Sequence, residues 1–139
     1  GAWQGADNKM YVDCEVAQKV NVVDVNSMSV YETVTLGFMP GMAQLQNTVK
    51  ELWVTDPMAG KVHWWTWDTG MNMWMHAGEV ATGAGAHAIA FNGNTAYITN
   101  QTAGTVSVLN VATHTVTGTI TVGSKPNGLV LKLFNAKLL

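Results

Sequence analysis

The chain has 139 residues, enough for one domain or one part of a larger one. Charged residues make up only 12%, the net charge is −2 and the seven positive side chains are scattered, so there is no basic footprint for nucleic acid. No apolar run approaches the roughly 18 residues that a membrane-spanning helix needs, and the single cysteine, Cys14, can form neither an intrachain disulfide nor a thiolate metal cage.

In chain order, the first apolar segments are Lys9–Asp13, Val20–Val25 and Val30–Leu36, followed by the short Ala/Gly-containing Pro40–Leu45. Each is four to seven residues long and bounded by turn residues, which predicts strands. The layout then recurs: LWVTD at 52–56, VHWWTW at 62–67, a Met/Trp-rich segment at 72–80 and AHAIAF at 86–91. It recurs again, most clearly, as AYITN at 96–100, TVSVLN at 105–110, TVTGTITV at 115–122 and PNGLVL at 126–131. Tyr11, Trp53 and Tyr97 mark equivalent positions 42 and 44 residues apart. No stretch carries a sustained period of 3.6, so an all-β chain is expected.

Four short strands per unit of about 40 to 45 residues is the pattern of a β-propeller blade. The repeats are drawn at 8–46, 47–91 and 92–132, with a C-terminal tail at 133–139. The Tyr97–Asn100, Thr105–Val116 and Val122–Val130 stretches resemble the YVTN family of β-propeller repeats, and Tyr11–Asp13, Trp53–Asp56 and Ala86–Ala88 are similar in degraded form. The resemblance implies a propeller whose relatives include surface-layer proteins, binding modules and propeller portions of redox enzymes.

Closed propellers typically have four to eight blades. On this reading the first unit lacks its inner strand, and Gly128–Lys132 is an inner strand without its blade. Open apolar edges pair with other chains. Two copies head to tail would close six blades, with Gly128–Lys132 of one chain beside Lys9–Asp13 of the other; the alternative is a fragment of a longer propeller. Tyr11, Val12, Leu129, Val130 and Leu131 are the corresponding interface candidates, and Phe134–Leu139 is expected to wrap a neighbour. The low-charge, Thr/Asn/Gly-rich composition suggests an exported protein.

The second repeat carries the unusual chemistry. Met71, Met73 and Met75 alternate with Asn72, Trp74 and His76, and Val80 is placed on the same face as His76. Three readings are open: packing of sulfur against rings; a partner surface that includes Trp65, Trp67 and Trp74; and a soft-metal, copper-like site of Met71, Met73, Met75 and His76. His87, Gly41 and Asn127 occupy equivalent positions at the starts of inner strands, where the channel of a propeller opens, and are candidates to bind a ligand. The resemblance implies that a His there can meet a haem, although no C-x-x-C-H is present. No nucleophile–base motif is found, and Asp13, Asp24, Asp56 and Asp68 sit at strand ends and turns, where Asp bonds its own backbone. The expected function is non-catalytic: a binding or scaffold propeller without a cofactor. The alternative is part of an exported redox enzyme holding haem, copper or a quinone-bearing partner.

Overall fold

A computed structural model describes residues 1–132; the tail at 133–139 lies outside the described residues. Twelve strands form three four-stranded antiparallel sheets, and no helix occurs among these residues. The first sheet contains β1 (Ala2–Gln4), β2 (Lys9–Cys14), β3 (Lys19–Asp24) and β4 (Ser29–Thr35). The second contains β5 (Ala43–Gln46), β6 (Glu51–Asp56), β7 (Lys61–Asp68) and β8 (Met73–Ala81). The third contains β9 (Ala86–Asn92), β10 (Thr95–Asn100), β11 (Thr105–Asn110) and β12 (Thr115–Thr121). Each sheet is a simple meander, one propeller blade.

Two expectations from the sequence are corrected. The first blade does have an inner strand: β1 pairs with β2, Trp3 opposite Tyr11. Three residues reading AWQ are too short to show a period, so this strand was invisible. Conversely, Gly128–Lys132 forms no ladder with the other described residues. Its proposed partner edge, that of β2, is already occupied on one side by β1 and on the other by β3. The sheets therefore begin with the type of strand that the boundaries 8–46, 47–91 and 92–132 put last.

Repeated side-chain devices build each blade. Asp24, Asp68 and Asn110 each end the third strand and accept a bond from a backbone N–H in the next turn, at Ser27 (3.0 Å), Met71 (2.8 Å) and Thr113 (3.0 Å). Gly60 and Gly104 close equivalent turns at φ 65° and 68°; a Cβ at either would sit 2.8 Å from a linker carbonyl, of Gly83 and Gly123 respectively. Thr55 and Thr99 fill gaps in the inner ladder: their hydroxyls accept from Met42 N–H and Ala88 N–H, both at 2.9 Å.

The cores lie between blades, because a lone blade has two apolar faces and cannot cover either. Tyr11, Val20, Val22 and Val34 of the first blade pack on Leu45, Leu52, Val54, Trp65 and Trp74 of the second. Trp53 and Val62, on the opposite face of the second blade, pack on Ile89, Ala96, Ile98 and Leu109 of the third. A fully buried Trp such as Trp53 removes about 150–250 Å² from water, roughly 4–6 kcal/mol. Among the described residues, two faces are left without a blade against them. One carries Val12 and Val23 of the first blade. The other carries Tyr97 and Val106 of the third, which line a hollow of about 200 Å³ with Leu129, Val130 and Leu131.

Candidate functional site

Two of the three channel-mouth candidates, His87 and Asn127, line one cleft, and Gly41 lies against His87 without lining it. His87 stands at the start of β9, where the Thr55 hydroxyl donates to its carbonyl at 2.6 Å. Gly41 backs onto it: a Cβ there would lie 2.8 Å from Thr55 Oγ1 and 3.1 Å from His87 Cα, so a side chain would force this contact apart. His87 and Asn127 line one cleft of about 530 Å³ with Trp3, Met42, Gln44 and Phe91. Asn127 Oδ1 accepts from Gln101 Nε2 at 3.0 Å. His87 Nδ1 is buried and has no hydrogen-bond partner among the described residues. An apolar cleft with a few convergent polar groups is the usual form of a small-molecule site.

A second constellation lies at the rim between the first two blades. β7 and β8 pair in register until a bulge: Trp64 faces Gly78, but Trp65 faces His76, and Ala77 is left unpaired. The extra residue puts His76 and Glu79, three apart, on the same face as His63. His63 Nδ1 lies 3.1 Å from His76 Nε2 and 3.3 Å from Glu79 Oε2, and His63 Nε2 lies 3.5 Å from Asp56 Oδ2. Phe38 stacks on His63 at 4.4 Å. Burial pushes the His63 pKa below its ordinary value, against the opposing pull of Glu79 and Asp56. Lys61, which bonds Glu79 Oε1 at 2.8 Å, holds the exposed Glu79 carboxyl below its usual range.

The bulge also corrects the face assignment in this repeat. Val80 was grouped with Trp74 and His76, but it pairs with Val62 and packs towards the third blade, whereas Trp74 is in the first core. His76 is separated from the methionines: Met73 and Met75 alternate onto the opposite face of β8, and Met71 is in the preceding turn. Met71, Met73, Met75 and His76 are thus not one ligand set. Tyr11, Trp65 and Trp74 are buried inside the first core with Trp67 packed beside it, so these interface candidates are blade-to-blade contacts within one chain. Val12 and Leu129 are half-buried, while Val130 is 89% exposed.

A third cluster went unread in the sequence. His114 Nε2 lies 2.9 Å from Glu51 Oε2, which also accepts from Trp53 Nε1 at 2.8 Å, and the His114 ring stacks on Trp64 at 3.9 Å. It ties the second blade to the third, and both Glu51 oxygens are partnered. The signal for these clusters was weak: alternation gave the face of His63, but only Gly78 opposite a bulky Trp64 hinted at the bulge.

The arrangement of sheets matches known structures. Hydrazine synthase from Kuenenia stuttgartiensis superposes with a TM-score of 0.75 at 16% identity, over 87% of this chain and 35% of that one. The fold is that of a β-propeller. The periplasmic gluconolactonase of Pseudomonas aeruginosa superposes with a TM-score of 0.69 at 17% identity, over 88% of this chain and 39% of that one. The chain thus spans little more than a third of these structures. In sequence it is 48% identical over 46 residues to a PE-PGRS family protein of Mycobacterium tuberculosis, 32% of this chain and 10% of that protein. No family model matches.

Proposed function

We propose that the chain is a non-catalytic, exported binding or scaffold segment of a β-propeller, which holds a small ligand or a partner's side chain in the inner-strand cleft. The observation that carries this is His87: its buried Nδ1 lacks a partner at the wall of a cleft of about 530 Å³ that Asn127 and Gln44 also line. An unpaired buried polar group costs about 1–3 kcal/mol, which a ligand would recover. The resemblance to YVTN repeats supports the reading, since Thr55 and Thr99 stand where that motif has its Thr and do the same job in two blades. The lactonase name of a similar structure belongs to that protein; likeness at 17% identity carries fold alone.

The test is saturation-transfer NMR with small carboxylates, sugar acids and heteroaromatics as probes. Binders should lose their signal with His87→Ala and Asn127→Ala chains. A panel that binds nowhere, or equally well to both variants, refutes the reading. The uncovered faces that carry Val12 and Tyr97 further favour closure by stacking of blades, by a second copy or by more of a longer chain, rather than by strand pairing along β2. Light scattering near twice 14.9 kDa would support the second copy; a monomer would remove it.

A further inference from the structure

We propose that His63, His76 and Glu79 form a binding site for a borderline divalent transition-metal ion such as Zn²⁺, with Asp56 orienting His63 behind it. The site is separate from the inner cleft and does not depend on the reading given to that cleft. One atom of each of the three side chains lies within 4.8 Å of the others. A tetrahedral Zn²⁺ with bonds of about 2.0–2.1 Å sets its donor atoms roughly 3.3–3.4 Å apart. His63 Nδ1 is 3.1 Å from His76 Nε2, which is also hydrogen-bond distance, and 3.3 Å from Glu79 Oε2, both close to that spacing, and the third pair lies within 4.8 Å.

The hydrogen-bond accounting leads to the same place. A neutral His63 has one N–H for two carboxylates, Asp56 at Nε2 and Glu79 at Nδ1. If Nδ1 carries the proton, the buried Nε2 turns a lone pair towards Asp56, and Nε2 is already without a satisfactory partner. If Nε2 carries it, Nδ1 can accept from a His76 Nε2–H at 3.1 Å, but its lone pair still faces Glu79 Oε2 at 3.3 Å. A cation between Nδ1, His76 Nε2 and Glu79 Oε2 removes the conflict and leaves Nε2–H for Asp56, the carboxylate–histidine–metal arrangement. Lys61 takes only Glu79 Oε1, so Oε2 is available. Two imidazoles and a carboxylate without thiolate suit Zn²⁺, Cu²⁺ or Ni²⁺ rather than Cu⁺. The three ligands leave a fourth position for water.

The repeats supply an internal control. Every blade bulges at the same place between its third and fourth strands, after Val22, Trp64 and Val108. The positions of His63, His76 and Glu79 are filled by Asn21, Val30 and Thr33 in the first blade and by Ser107, Val116 and Thr119 in the third. The first blade satisfies the pair with a neutral bond, Thr33 Oγ1 to Asn21 Oδ1 at 3.0 Å. The fold therefore does not require the titratable set that the second blade has acquired.

Titration calorimetry of Zn²⁺ into the metal-stripped full chain tests the site. One ion per chain is expected. Affinity should fall at least tenfold in His76→Ala and in Glu79→Gln, and about 10–100-fold in Asp56→Asn. Met73→Leu and Met75→Leu should bind as the wild type does. His76 and Glu79 are exposed, so their variants should keep the near-ultraviolet circular dichroism of the Trp core, which checks folding. No stoichiometric uptake, or wild-type affinity in His76→Ala or Glu79→Gln, overturns the site. Loss in the methionine variants relocates the ion and overturns it equally, and wild-type affinity in Asp56→Asn overturns the orienting role.

Discussion

Replacing Thr55 by Val keeps the shape of a fully buried side chain and deletes one hydroxyl. That hydroxyl accepts from Met42 N–H at 2.9 Å and donates to the carbonyl of His87 at 2.6 Å, so it joins the second blade to the third beside the cleft. Without it two backbone groups lose their partner. Each buried orphan costs about 1–3 kcal/mol, and the half-buried position of His87 lowers its share, so the loss should be about 2–4 kcal/mol. Thr55→Ser keeps both bonds and removes one methyl, costing about 1 kcal/mol. With a urea slope of about 2 kcal/mol per molar, the Val variant should unfold about 1–2 M earlier than wild type and clearly before the Ser variant. Equal midpoints for Val and Ser would show that the hydroxyl does not hold the inner ladder. His87 should also shift in NMR spectra of the Val variant only.

Gly78→Ala should destabilise by about 1–3 kcal/mol in thermal unfolding, because the added methyl falls onto the Trp64 ring, which the stacked His114 stops from moving away. Burial pushes the Tyr11 hydroxyl up to about 12 from its ordinary 10.0. Its contribution is therefore complete below pH 10 and lost as pH rises through 12, at most about 2.7 kcal/mol; Tyr11→Phe should flatten that alkaline limb of a stability–pH curve. Lys9, then the backbone N–H groups of Ser27 and Asn26, holds Asp24 down at about 2 from 3.8. Its contribution is present above pH 3.8 and lost as pH falls through 2, so Asp24→Asn should unfold with a shallower acid limb.

The meander from Ala96 to Thr121 was readable because two-residue alternation and turn residues agreed at every step. The blade cores followed, since Tyr11, Trp53 and Tyr97 recur at one position and two of the three are now covered by a neighbour. Gly128–Lys132 matches the apolar pattern of Ala86–Phe91, but β2, the edge expected for it, is already paired by β1 and β3, and the three residues of β1 carry no period that would have shown this. The His63 cluster was hidden for a different reason. A bulge changes which side chains share a face without altering composition, and strict alternation keeps His76 and Glu79 apart.

Of the three blades described, the second is sandwiched on both sides, and every residue of its strand β6, from Glu51 to Asp56, is buried. Stability in stacked repeats is passed between nearest neighbours. Hydrogen exchange should therefore be slowest in β6 and quicken towards both ends, as it does in a short stack of coins where only the middle one has company above and below. Under tension the outer blades should peel away first, leaving that middle strand as the last part of the arc to give way.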